Sequence, residues 1–355
     1  MSLSNQSLDQ MLDPRLEGFL QAMPKAELHI HIEGSLEPEL IFELAKRNGV
    51  PLAYPDVQSL KSAYAFTDLQ SFLDIYYAGA SVLLTRQDFD DMAWAYFKRA
   101  SADGIVRAEL FFDPQTHTER GVPMAEVMAG LTAACERAQH ELNISSDLIL
   151  CFLRHLSEED AMDALDQALP YRDQFIGVGL DSSEVGHRPQ KFARVFARCR
   201  EMGLRLVAHA GEEGPPAYMQ AALDVLKVER IDHGVQSIHS PELLKRLVKD
   251  QVPLTICPLS NVKLCVFKDL QSHPVAQMLA AGACVTINSD DPAYFGGYLL
   301  DNFRQTFAAH PLKLRDAYQL AKNSLVASFA TDQQKQRWVA ELDALYAAYS
   351  DGSNS

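Results

Sequence analysis

"AELHIHIEG", residues 26–34, reads as a strand that carries two imidazoles on one face. In an extended chain, residues i and i+2 point to the same side. His29 and His31 therefore project together, while Leu28, Ile30 and Ile32 face the other way. A single strand histidine is ordinarily a satisfied polar residue. Two at this spacing, closing an apolar run, make half of a metal-ligand set, provided that the rest of the chain supplies the other half.

Outward from this run the chain repeats one theme. Seven further apolar runs follow: "GIVRAELFFDP" (104–114), "SDLILCFLR" (146–154), "FIGVGLDSSE" (175–184), "RLVAHAGEE" (205–213), "RIDHGV" (230–235), "VPLTICPLS" (252–260) and "ACVTINSDDP" (283–292). Near-continuous apolar runs fit strands buried on both faces of a parallel sheet. Amphipathic stretches at 123–142, 157–169, 189–202, 215–227, 240–250 and 273–281 separate them. This alternation predicts a (β/α)8 TIM barrel occupying 1–355 as one domain. Two segments exceed a minimal barrel. Residues 49–103 read as a helical insertion after the first strand, placed to form a lid over the catalytic face, and about 300–347 read as extra C-terminal helices packed outside. Residues 351–355, "DGSNS", read as a frayed end.

Composition narrows the function classes. With 47% hydrophobic and 22% charged residues, the chain is an ordinary globular protein. A net charge of -15 and the lack of a Lys/Arg-rich run argue against a nucleic-acid partner. No apolar run approaches membrane-spanning length, and the first 20 residues lack the basic and apolar regions of a signal peptide. The expectation is a cytoplasmic protein with no membrane partner. The six cysteines form no C-x-x-C pair and mostly sit in apolar segments, which predicts reduced, buried thiols.

In such a barrel the C-terminal strand ends converge on one site. The first strand ends in His29 and His31, the fifth in His209, Glu212 and Glu213, the sixth in Asp232 and His233, and the eighth in Asp290 and Asp291. Three imidazoles and one carboxylate, His29, His31, His209 and Asp290, suit a single Zn2+ with a water completing its shell. Glu212, three residues past His209, is placed to reach substrate as a proton shuttle. His233 would orient the water, and Asp291 would bind substrate. Taken singly, His233 reads equally as a core histidine, and the two aspartates as caps of the following helix. Asp232 reads as a partner of a ligand histidine or as loop. His117, His140, His187, His239, His273 and His310 share no strand-end context and read as structural or surface residues.

"PKAELHIHIEGS", "HAGEE", "RIDHG", "CPLSN" and "NSDDP", in this order, resemble the adenosine/adenine deaminase family of metal-dependent hydrolases over nearly the whole chain. The resemblance implies hydrolysis of a purine 6-amino group. It also implies that Glu212 protonates N1, that His233 positions the attacking water and that Asp291 contacts N7. Departures from the adenosine pattern are Glu33, where Asp is usual, and Glu184 in "LDSSEVG", where a small residue would lie against the purine. These departures are similar to the adenine branch of the family. A carboxylate there would shrink the space for a ribose and accept the N9–H that only the free base carries. The expectation is a substrate contact from both Glu184 and Glu33. The alternative is adenosine or another N6-substituted purine as substrate; a purine-binding protein without activity is the non-enzymatic alternative.

Overall fold

Eight parallel strands, hydrogen-bonded in sequence order, form the wall of the molecule: β1 (Lys25–His31), β2 (Ile105–Phe112), β3 (Ser145–Leu153), β4 (Gly177–Asp181), β5 (Arg205–Ala210), β6 (Arg230–His233), β7 (Leu254–Ile256) and β8 (Val285–Ile287). The structure is a computed structural model and describes residues 12–351. Every apolar run singled out in the sequence contributes one strand, and the architecture is the expected (β/α)8 barrel. Of 351–355, read as a frayed end, Asp351 closes the last helix and 352–355 lie outside the described residues, as do the first eleven residues of the stretch read as lacking a signal peptide.

The last seam is the thinnest. β8 meets β1 through a single bridge between Ile30 and Asp290. There His31 N–H donates to the Asp290 carbonyl at 3.0 Å, and Asp290 N–H donates to the His29 carbonyl at 3.1 Å. The Asn288 side chain spans the gap lower down by accepting from Leu28 N–H at 2.9 Å. Closing the barrel and seating Asp290 beside the two histidines are thus one event.

Alternation along each strand sorts residues into two cores. Outward residues such as Leu28, Ile30, Leu110, Leu150 and Leu206 join the helices in the large apolar core. Inward residues stack in layers, as such barrels require. At the bottom, buried Glu109 accepts from Arg230 Nη1 at 2.7 Å and from Arg107 Nη2 at 3.0 Å. Above them Phe111, Ile149, Cys151 and Val207 form a small apolar plug. His29 and His31 lie on top, each with its ring centroid 5.2 Å from that of Phe111. The plug separates the buried ions below from the polar cluster above.

Helix α1 (Pro14–Ala22) precedes the barrel; Asp13 caps it by accepting from Arg15 N–H at 2.8 Å. Just past it, the buried Lys25 ammonium donates to the carbonyls of Leu20 and Met23 at 2.8 and 2.9 Å. The long connection from β1 to β2 holds α2 (Pro38–Asn48), α3 (Val57–Ser62), α4 (Leu69–Ala80) and α5 (Arg86–Ala102). The expected insertion, 49–103, needs correcting at both ends. It already begins with α2, and α5 is not part of a lid. Phe89, Met92, Tyr96 and Phe97 on α5 are buried in the outer core, so α5 is the ordinary crossover helix. The helix that covers the mouth of the barrel is α4, whose Asp68–Ser71 capping box fixes its start. Three C-terminal helices, Leu299–Ala309, Leu314–Ala327 and Asp332–Asp351, pack outside as expected. Among the described residues no helix is long and apolar enough to cross a membrane. All six cysteines are free, and Cys151, Cys199 and Cys257 are buried, whereas Cys265 is exposed on a left-handed turn rather than buried as expected.

Candidate active site

The strand ends bring the remote motifs together. His29 Nε2 lies 3.2 Å from Asp290 Oδ1, and His31 Nε2 lies 3.5 Å from the same oxygen. His31 Nε2 is 3.1 Å from His209 Nε2. Ligand atoms of His29, His209, His233 and Asp290 all fall within 4.8 Å of one another. Of the four residues read from the sequence as ligands, His29, His209 and Asp290 share this set with His233, while His31 meets it from the side through Asp290 and His209.

The outer nitrogens explain why that point suits a cation. His29 Nδ1 faces the carbonyl and hydroxyl oxygens of Thr255 at 3.2 and 3.0 Å. His31 Nδ1 faces Asp181 Oδ2 at 3.5 Å, and His209 Nδ1 faces Asp232 Oδ2 at 3.7 Å. Acceptors around Nδ1 favour the tautomer with its proton there. The Nε2 lone pairs of His31 and His209 then point at each other with no proton between them, and His29 Nε2 has no hydrogen-bond partner. Nitrogen lone pairs converging on a carboxylate oxygen, without thiolates, form a donor set that fits zinc. Asp232 thus takes the first of its two sequence readings, standing beside a histidine read as a ligand. Burial acts to raise Asp290, but the imidazoles of His29, His233 and His31 hold it well below the usual carboxylate range.

Above the cluster lies a small pocket of about 40 Å³, well below the ~300–1,000 Å³ typical of ligand sites. His31, His209, Glu212, His233, Asp290 and Asp291 line its floor. Its far wall is Leu69, Phe72, Leu73, Tyr76 and Tyr77 of α4. Tyr77 Oη and Ser182 Oγ are 3.0 Å apart, and Tyr76 O–H donates to Asp113 Oδ2 at 3.3 Å, so α4 is tied to the barrel rim.

Glu212 is buried, its Oε1 has no partner and its Oε2 is 3.5 Å from His233 Nε2. Burial, then the charges of Asp290 and Glu213, holds its pKa well above the usual carboxylate range. Asn261 Nδ2 donates to His233 Nδ1 at 3.3 Å, leaving the proton on Nε2, and His273 Nε2 donates to Asn261 Oδ1 at 3.1 Å. Burial pushes His233 down to about 3, so the ring stays neutral. Asp291 is buried too, and burial together with Asp290 holds it well above the usual range. A Cβ added to Gly34 would lie 1.9 Å from Asp291 Oδ1, so the glycine of the opening stretch makes room for this carboxyl. The backbone is left-handed at Ser182, His233 and Asp290, with φ of 70°, 64° and 65°.

Two expectations fail. Glu184 does not face the pocket, because its carboxylate accepts from the amides of Gly211, Glu212, Glu213 and Gly214 at 2.6, 3.0, 3.0 and 2.8 Å. Glu33 also stands behind the wall, where its Oε1 accepts from Asp113 N–H at 3.1 Å and meets His117 Nε2 at 2.8 Å. In their place the pocket presents Asp113 and Asp181, which the sequence reading passed over. Burial, then Glu33, pushes Asp113 up to about 7. Both residues end strands, in "FFDP" and "GLD", and that position was the available signal. His117 and His273, read as structural or surface residues, are buried, one against Glu33 and the other linked through Asn261 to His233.

Comparison with known proteins bears on this site. A family model described as adenosine deaminase matches residues 24–345. The chain is 64% identical over 337 residues to an adenine deaminase of Geotalea uraniireducens (strain Rf4), covering 95% of each chain. It is also 64% identical to an adenine deaminase of Trichlorobacter lovleyi, covering 95% of this chain and 97% of that one. The crystal structure of an adenine deaminase from Arthrobacter aurescens superimposes with a TM-score of 0.90 at 50% identity, covering 91% of this chain and 99% of that chain. An amidohydrolase from Burkhoderia ambifaria, with bound zinc, superimposes with a TM-score of 0.87 at 26% identity, covering 97% of both.

Proposed function

The chain belongs to the adenosine deaminase family, and on that premise we propose that it hydrolyses free adenine to hypoxanthine and ammonia. The observation that carries the chemistry is the convergence of His29, His31, His209 and Asp290 beneath a pocket into which Glu212 projects. The relatives at 64% identity are named for adenine, which favours the free base over the nucleoside.

In this reading His29, His31, His209 and Asp290 hold one Zn2+. When bound, the ion supplies Lewis-acid activation of a water at neutral pH. The chain's own groups do the rest. Glu212, whose environment favours the protonated form, delivers a proton to purine N1 and so makes C6 electrophilic. The neutral His233 ring, with Nε2–H directed between Glu212 and Asp290, orients the attacking water. Asp291 donates to N7 in its protonated form, because N7 and a bare carboxylate are both acceptors. As water adds at C6, the ionised Glu212 takes the proton it sheds and passes it to the amino group; the C6–N bond breaks, ammonia leaves, and the C6 hydroxyl proton returns to Glu212 as the carbonyl forms. The small pocket beneath the aromatic residues of α4 limits water's access to competing paths.

The free base differs from the nucleoside at N9, which carries a donor in adenine and a sugar in adenosine. With Glu184 engaged elsewhere, the acceptor for N9–H in this reading is Asp113, which lines the pocket with Oδ1 unpartnered. A site built around one donor rejects the analogue lacking it by about 10⁴. The test is kcat/KM for adenine and adenosine with the zinc-loaded protein, followed by ultraviolet absorbance. A preference for adenine of that order is expected, and a preference for adenosine would overturn the reading.

A further inference from the structure

The carboxylate of Glu184 sits in an unusual place. It leaves the irregular segment after β4, yet it is almost wholly buried. It gathers four consecutive amides, those of residues 211–214, with Oε1 taking Gly211 and Oε2 taking the other three. The segment that donates them is the turn leaving β5, which has no helix or strand partner of its own. Backbone amides wrapped around an anion form a recurrent binding concavity. Here the anion is an internal side chain.

The same turn carries Glu212. Its carbonyls are held from the opposite side: Gln236 Nε2 donates to the Glu212 carbonyl at 2.9 Å, and Gln236 N–H donates to the Gly211 carbonyl at 2.9 Å. Clamped on both edges, the Glu212 backbone has one orientation, and its side chain alone enters the pocket. The clasp also explains Gly214. A Cβ there would lie 2.5 Å from Glu184 Oε1.

Resting on the deaminase reading above, we propose that Glu184 is a positioning residue. By accepting the amides of Gly211–Gly214, it fixes the turn that aims Glu212 at the purine. It touches neither substrate nor metal. Misplacing a reacting group by about 1 Å can cost roughly 10² in rate. Loss of the clasp therefore lowers kcat through Glu212 and leaves KM for adenine and metal content nearly unchanged.

Glu184→Gln is the deciding variant. With its oxygen at the Oε2 position it retains three of the four bonds and sets an NH2 against Gly211 N–H. We expect kcat to fall about tenfold or more, with KM within about twofold. Amide hydrogen exchange should accelerate at 211–214 and not in β5. Gly214→Ala strains the clasp from the other side and should reproduce both effects. The double variant Glu184→Gln/Glu212→Gln separates positioning from general structure: groups that act as one unit are not additive. In the Glu212→Gln background, Glu184→Gln should cost less than about twofold further. An equal loss in both backgrounds would overturn the proposal. So would unchanged exchange at 211–214, or a rise in KM at constant kcat, which would return Glu184 to the substrate. Wild-type turnover of adenine is the separate control: its absence refutes the deaminase reading, whereas the exchange measurement still judges the clasp.

Discussion

Lys25 offers a perturbation whose size follows from its surroundings. It opens β1, is completely buried, and spends its ammonium on the Leu20 and Met23 carbonyls. Burial pushes it down from its ordinary 10.5 to about 7, with Asp103 opposing and Arg304 reinforcing. Between those two values the unfolded chain holds the proton and the folded chain releases it. Stability must then rise with pH through that window. Below about 7 both states are protonated and the contribution is flat at its lowest. A lysine with these two constants adds roughly 2 kcal/mol between pH 7 and pH 9. Lys25→Met removes the titration and fills similar volume. The assay is urea unfolding of wild type and variant at pH 7, 8 and 9, followed by far-ultraviolet circular dichroism. The wild type should gain about 2 kcal/mol on the variant across that range. Parallel profiles would refute the reasoning, because they would mean that Lys25 stays charged in the folded state.

The remaining predictions concern the pocket. Glu212→Gln keeps the shape and removes the transferable proton, so kcat for adenine should fall by roughly 10²–10⁴ while bound zinc, read by metal analysis, is retained. Asp290→Ala should lose the metal, whereas Asp291→Ala should keep it and lose turnover; metal content and kinetics on the two variants would expose a reversed assignment.

The barrel was legible because burial on both faces leaves a strong mark: each strand is an apolar run, and the polar residues that interrupt these runs cluster at the ends. His29, His31, His209 and Asp290 stood out for the same reason. Glu184 was misread because adjacency to the site in sequence says nothing about what a carboxylate meets, and four backbone amides carry no side-chain signature. Asp113 and Asp181 were overlooked because single aspartates after a strand are common loop residues, and only closure of the barrel brings both within reach of His31. Asn261 was quoted within "CPLSN" without a role, since its link from His273 to His233 joins three segments distant in the chain. The insertion was recognisable as helical, but its division into covering helix and crossover helix depends on which apolar face finds the outer core.

The left-handed backbone at His233 and Asp290 sets limits on how this protein could be improved. A side chain in that conformation gives up roughly 1–2 kcal/mol, and glycine would recover part of it. Directed evolution for thermostability alone would therefore be drawn to these two positions. In the proposed function, the gains there would come from deleting a metal ligand and the neighbour that orients water. A library screened on melting temperature would enrich dead proteins, whereas one screened on turnover would hold both residues fixed. Gly49 and Gly121 offer space but little gain: a Cβ there meets nothing within 4 Å, yet φ of 65° and 85° would strain most replacements. Asparagine, which tolerates that geometry, is the natural first choice at either.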